Sequence, residues 1–312
     1  MRIQSRCLEQ LQELYDSPYT GAVTTRTATT DGYKENKSHT VVFSGDSIST
    51  LNSYGYSPHP LADYLAWVEA ILTNPVHADR QKPFIISITA SNADTLRSMV
   101  QSIQILRAKL HDDHTDPNST AKSKIAIEIN TSCPNIPNAS PSGYAIASLL
   151  PMLKVLAEAF NRDHTLTIGL KLPPFVYREQ FMSVLDGIES LTAGGKCPFS
   201  FLTCTNTLGN SLLFSDQTVS SVDIETGSDF ALPTVIGGLA GEALHALALG
   251  NVYTFSQLVR NRASLNTITI IGAGGVTSKE ATMRMRKAGA AVVGCATLFG
   301  REGVRAFELL AA

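Results

Sequence analysis

The stretch IAIEINTSCPN, Ile125 to Asn135, passes from a β-branched run directly into small and polar residues. Six other runs repeat that change: GAVTTRT (Gly21 to Thr27), FIISITA (Phe84 to Ala90), TIGLKLP (Thr167 to Pro173), FLTCTNT (Phe201 to Thr207), TITIIGAGG (Thr267 to Gly275) and AAVVGCAT (Ala290 to Thr297). Longer amphipathic segments separate them and predict helices over Leu61–Thr73, Ala93–His111, Tyr144–Asn161, Arg178–Ala193, Gly241–Arg262 and Ser278–Ala288. The last opens on Ser278 with Glu280 in its first turn, a hydroxyl cap followed by an acid. Short β-branched runs alternating with helical segments describe a parallel sheet whose crossovers are helices. Small and polar strand ends gather where the active face of a (β/α)8 barrel lies, whereas an open doubly wound sheet places its ligand at one crevice. The expected fold is therefore a (β/α)8 barrel in one domain, 1–312. Seven runs leave it one strand short.

Two long connections interrupt this cadence. Thr29 to Pro60 carries a short hairpin around HTVVFSG, and Asn206 to Ile236 holds LLFSD and the alternating TVSSVDI, a second expected hairpin. Excursions of this length at the functional end of a barrel form lids or substrate walls. The acidic stretch HDDHTDPNST reads as a solvated loop on the opposite face.

Composition limits the function. The 312 residues are 44% hydrophobic and 17% charged, with a net charge of −2, so the chain lacks the concentrated basic face of a nucleic-acid binder. No run approaches the roughly 18 apolar residues of a membrane helix. The opening MRIQSRCLEQLQELY is a polar helical pattern without the apolar core of a signal peptide, which predicts a cytoplasmic protein. Five widely spaced cysteines, never in CxxC, encode neither a disulfide framework nor a zinc site. Seven dispersed histidines predict no metal centre.

Cys133 stands at the mouth of the expected barrel in NTSCPNIP (Asn130 to Pro137), before a segment rich in Pro, Asn and Ser. A thiol there can act as a base or nucleophile once water is shut out; it can equally be a small buried side chain among turn formers. Lys171, in the apolar run GLKLPP, requires either a structural ion pair or an anionic or electron-rich ligand. Three glycine-rich turns, Gly237 to Gly241, Gly272 to Gly275 and the looser Gly294 to Thr297, suit a phosphate monoester held by backbone amides. The pattern is not the GxGxxG of a dinucleotide site. Asn52 to Tyr56 and Thr205 to Thr207 supply amides and hydroxyls that can donate to and accept from a planar heterocycle.

NTSCPNIP, GLKLPP, TNTLGN, IGGLAG, IGAGG and LNSYGY, in this spacing, resemble the cytosolic class 1 dihydroorotate dehydrogenases, most closely the fumarate-linked 1A branch. Class 2 enzymes carry serine where this chain has Cys133. The resemblance spans about Leu8 to Leu310 and implies an FMN-holding (β/α)8 barrel that works as a homodimer, oxidising dihydroorotate to orotate in pyrimidine biosynthesis with fumarate as acceptor. By that resemblance Cys133 removes the C5 proton while the C6 hydride leaves for the flavin. Arg26, Asn52, Asn130, Asn135, Asn206 and Thr207 hold the substrate with the backbone of Gly55 and Tyr56. Lys171 stabilises the reduced flavin; Arg26, Thr27, Asn130, Thr205, Gly241, Gly274, Gly275, Ala296 and Thr297 complete the cofactor contacts.

The chain departs from the family pattern at three places. Arg26 stands where the family has lysine, Asn138-Ala139-Ser140-Pro141 replaces a Gly-Lys-Pro segment, and the family's first strand is expected to precede Cys7. Arginine keeps the charge but carries a larger fork. Two other functions follow from these departures: a related flavin barrel acting on another dihydropyrimidine or an enoate, and a non-catalytic pyrimidine-binding relative.

Overall fold

Each of the seven predicted runs forms a strand, shorter than its β-branched stretch because the small and polar ends leave the ladder. The computed structural model describes residues 7–77, 80, 82–112, 123–132, 135, 142–192, 195–219 and 229–311. In chain order the elements are α1 (Cys7–Asp16), β1 (Val23–Thr24), β2 (Val41–Phe43), β3 (Ser49–Asn52), α2 (Leu61–Leu72), β4 (Phe84–Ile88), α3 (Ala93–Lys109), β5 (Ile125–Asn130), α4 (Ile146–Arg162) and β6 (Thr167–Leu172). There follow α5 (Arg178–Glu189), β7 (Phe201–Cys204), β8 (Leu208–Ser211), β9 (Gly237–Gly241), α6 (His245–Arg260), β10 (Thr269–Ala273), α7 (Lys279–Lys287), β11 (Val292–Gly294), α8 (Thr297–Glu302) and α9 (Arg305–Ala311). Ser278 caps α7 as expected, its side chain accepting from the amide of Ala281.

The main sheet runs β1-β4-β5-β6-β7-β10-β11, and every pairing is parallel. With helices crossing between its strands it is a (β/α)8-type fold one strand short among the described residues. Alternation along the strands separates two faces. Ile86 and Ile88, Ile127 and Ile129, Leu170 and Leu172, with Leu202 and Ile270, join Leu96, Leu149, Val184 and Phe255 of the helices in one large core. The opposite face carries Ile85, Ala126 and Phe201, packed with Ala22 and Ile271. Two residues further along the same strands come Ser87, Glu128, Lys171 and Thr203. The inner face thus turns from apolar to polar toward the C-terminal strand ends, the layering that makes one end of a barrel chemical.

Gly169 is required by this inner layer. A Cβ built there would meet three carbons of the Phe201 ring at 2.1 to 2.3 Å. Gly169→Ala is expected to destabilise the fold by about 1–3 kcal/mol, the usual cost of overpacking. An unchanged midpoint in urea unfolding would contradict that packing.

The two excursions meet in a second sheet of order β2-β3-β9-β8. The hairpin expected around HTVVFSG is β2 paired with β3, Val41 opposite Asn52. β3 then pairs antiparallel with β9, and β9 with β8, over a small core of Val42, Leu51, Ala231 and Leu232. The run Gly237 to Gly241 is therefore a strand and not the phosphate turn expected of it. Its small residues suit a strand crowded on both sides: a Cβ at Gly237 would meet the Asn52 carbonyl oxygen at 2.6 Å. Only Gly241, with φ +83°, turns the chain away. The hairpin expected in TVSSVDI falls largely on 220–228, outside the described residues.

The solvated reading of HDDHTDPNST fails at Asp112, which is fully buried against an equally buried Arg107 at 3.3 Å. Its carboxylate accepts from the backbone of Lys124 and Ile125 and from the Ser123 hydroxyl, so it ties the end of α3 to the start of β5. An acidic composition disguised one residue whose charge is wholly satisfied inside. No helix among the described residues is long and apolar enough to cross a membrane.

Candidate active site

The polar strand ends converge on two amide networks. In the first, Asn206, just past β7, donates to the Asn130 Oδ1 at 3.1 Å and to the Ser132 carbonyl at 3.0 Å. Asn130, the last residue of β5, donates in turn to the Thr27 hydroxyl at 3.0 Å, and Thr27 shares a hydrogen bond with Ser87. The Asn206 Oδ1 accepts from the Thr207 amide at 2.8 Å. Four strands spread over 180 residues of chain are laced together by side chains that both donate and accept.

In the second network, Asn135 donates to the Asn52 carbonyl and Oδ1 and to the Tyr54 carbonyl, the last at 2.8 Å. Asn52 donates to the Gly238 carbonyl on β9, so the second sheet positions this wall. Asn135 also lines a cavity of about 380 Å³ with Tyr33, His39, Ser53, Asn210 and Gly237. The Tyr33 ring packs so closely on Gly55 that a Cβ there would lie 2.5 Å from it.

Arg26 borders the same wall. Its Nη2 donates to Glu35 at 2.6 Å and to the Tyr56 carbonyl at 3.4 Å, and the guanidinium lies 5.6 Å from the centre of the Tyr54 ring. Burial, reinforced by the nearby Glu35 charge, pushes the Tyr54 phenol up against the opposing pull of Arg26. Tyr54 therefore stays neutral here.

Lys171 and Thr205 complete the mouth differently. Lys171 is half-buried on the inner face of β6, and its ammonium has no hydrogen-bond or ion-pair partner among the described residues, so the structural ion pair open from sequence is not formed there. The Thr205 hydroxyl is buried and likewise has no partner. Beyond β10 and β11, Gly275 presses on the Gly241 carbonyl, which a Cβ would approach to 2.7 Å. Thr297 reaches the Thr50 hydroxyl on β3 at 3.3 Å. The amides of Gly275, Ala296 and Thr297 donate to no acceptor among the described residues.

Burial pushes the Cys295 thiol up to about 11, and also raises Cys204 and Cys197. None of these three is ready to act as a base near neutral pH. Cys133 lies outside the described residues. No group of three or more potential metal ligands occurs among the described residues.

The family model described as dihydroorotate dehydrogenase matches residues 6–311. The chain belongs to the dihydroorotate dehydrogenase family. It is an oxidoreductase by that membership. It is 26% identical over 301 residues to the probable dihydroorotate dehydrogenase A (fumarate) of Streptococcus pneumoniae serotype 4, covering 96% of this chain and 82% of that one. To the dihydroorotate dehydrogenase (fumarate) of Lachancea kluyveri it is 27% identical over 305 residues, with 97% and 82% covered. A putative dihydroorotate dehydrogenase A (fumarate) of Streptococcus equi is 24% identical over 266 residues, with 85% and 72% covered.

In this dihydroorotate dehydrogenase relative, sequence reading missed several residues of the mouth. Ser132 joins the first network, the Thr89 hydroxyl donates to the Asn130 carbonyl at 3.2 Å, and Glu35 holds Arg26. Glu128 accepts from Thr203 at 2.7 Å on the inner face below. For Glu128 a signal was present: an acid in the otherwise apolar IAIEI, two residues before Asn130, shares the face of Asn130.

Proposed function

We propose that this chain oxidises dihydroorotate to orotate, with FMN as cofactor and fumarate as electron acceptor, in pyrimidine biosynthesis. The observation that carries the reading is the pair of amide networks, Asn130–Asn206 and Asn52–Asn135, together with Lys171 on the inner face of β6, whose ammonium has no partner among the described residues.

The residues present suit FMN. The buried Thr205 hydroxyl, without a partner among the described residues, and the Lys171 ammonium offer polar contacts to a flavin ring. The amides of Gly275, Ala296 and Thr297, which donate to no acceptor among the described residues, lie beside the Gly241 turn and offer a cradle for its phosphate. When bound, FMN supplies the two-electron acceptor for a hydride. Lys171 would supply positive charge to offset the negative charge of the reduced cofactor. Asn52, Asn130, Asn135 and Asn206, with Thr207, orient the pyrimidine through alternating donors and acceptors. Arg26 and the backbone at Gly55 and Tyr56 receive its carboxylate, Thr27 steadies Asn130, and Gly274 carries the turn into Gly275. Cys133 takes the C5 proton from a substrate held against solvent. The working unit in this reading is a homodimer in the cytoplasm.

The test is direct. The purified chain is expected to carry or take up FMN, its visible flavin band to bleach anaerobically with dihydroorotate, and the band to return with fumarate. A colourless preparation that takes up no added FMN would exclude the reading. A second reading, another dihydropyrimidine or an enoate as substrate, is favoured by one observation: Arg26 is already paired with Glu35. Flavin bleaching by an uncharged dihydropyrimidine in preference to dihydroorotate would select it.

A further inference from the structure

Three charged side chains of the described residues are almost wholly buried: Arg107, Asp112 and Glu128. The first two neutralise each other. Glu128, 3% exposed, makes no ion pair with any described residue, and its carboxylate accepts one described hydrogen bond, from the Thr203 hydroxyl at 2.7 Å. A lone buried carboxylate is costly unless a positive charge lies within reach of its field. The register supplies one. Asn130 pairs with Lys171 across β5 and β6, and Lys171 pairs with Thr203 across β6 and β7. Glu128 is two residues below Asn130, so the Cα atoms of Glu128 and Lys171 are about 8 Å apart, from the usual strand spacing and rise. Gly169, which pairs with Glu128 on one side and Phe201 on the other, presents no side chain of its own, and the Phe201 ring covers it beneath Lys171.

We propose that Glu128 is the counter-charge of Lys171, a positioning residue that offsets the lysine's field at the barrel mouth and so lowers the electron affinity of the group bound there. Thr203 holds the carboxylate in place. This rests on the reading of that group as FMN, and the two can fail separately.

The test uses the FMN-loaded parent chain and Glu128→Gln, with sulfite as the anionic probe of the bound flavin. Withdrawing one unit of negative charge from beneath Lys171 is expected to tighten sulfite binding about tenfold and to shift the flavin midpoint potential upward. Glu128→Asp keeps the charge and is expected to stay near the parent, while Lys171→Gln moves both readouts the opposite way. A merely structural role would change thermal stability and leave both readouts still. Should Glu128→Gln fold poorly, Glu128→Met removes the charge and its desolvation cost together. An FMN-loaded Gln or Met variant with parental sulfite affinity and potential overturns the proposal alone, as do two variants that both fail to fold. A parent chain that takes up no FMN overturns it together with the functional reading.

Discussion

Cys133→Ser is expected to slow flavin reduction by dihydroorotate about a hundredfold or more near pH 7, the scale on which general bases act, while orotate binding stays near parental. The described thiols do not offer a substitute. Cys197, Cys204 and Cys295 are all held in the neutral form by burial. The ring contacts proposed for Asn52, Asn130, Asn135 and Asn206 do not involve the thiol, which is why binding survives its loss. An ordinary thiol ionises near 8.5 and a serine hydroxyl far above it. The parental rate should therefore rise toward that pH and level off, whereas the serine variant should keep rising. Stopped-flow bleaching of the flavin band across pH measures both. Equal rates in parent and variant would remove Cys133 from its role.

Asp112→Asn is expected to cost about 3–5 kcal/mol of folding stability, the penalty for leaving one member of a buried ion pair without its partner. Asp112 receives the Arg107 Nε, the hydroxyl of Ser123 and two backbone amides at the start of β5. An asparagine would turn two donors toward that same set. Arg107 keeps Asp163 at 2.7 Å and the Thr165 hydroxyl at 2.9 Å, which places the loss nearer the lower end of the range. Urea unfolding measures it, and a change below about 1 kcal/mol would show the pair to be energetically idle.

Asp163 adds a pH dependence to the same cluster. Burial pushes its carboxyl up, but hydrogen bonds from Thr165, Gln104 and Arg107 outweigh that and hold it below the ordinary range. A carboxyl depressed in the folded state stabilises fully above its unfolded value, about 3.9, and that contribution is lost as pH falls through the folded value. Acid unfolding of the parent should therefore be steeper below pH 4 than that of Asp163→Asn.

Local pattern alone determined the seven strands of the main sheet and the helices between them, because β-branched runs and the 3.6-residue helical period are written residue by residue. Phe84–Ile88 and Ile125–Asn130 were legible as strands, and Ala93–Lys109 as a helix, for that reason. The polar strand ends marked the chemical face for the same reason, since each lies beside its own strand.

Partnership across the chain was decided only by the tertiary structure. GGLAG reads equally as a turn or a strand, because glycine tolerates both, and only pairing with Ser49–Asn52 makes it β9. Asp112 looks solvated among its acidic neighbours until Arg107 and the start of β5 enclose it. Glu128 meets Thr203 across 75 residues, and Asn130 meets Asn206 across 76. Such contacts depend on which strands are neighbours and in what register, and no local period carries that information.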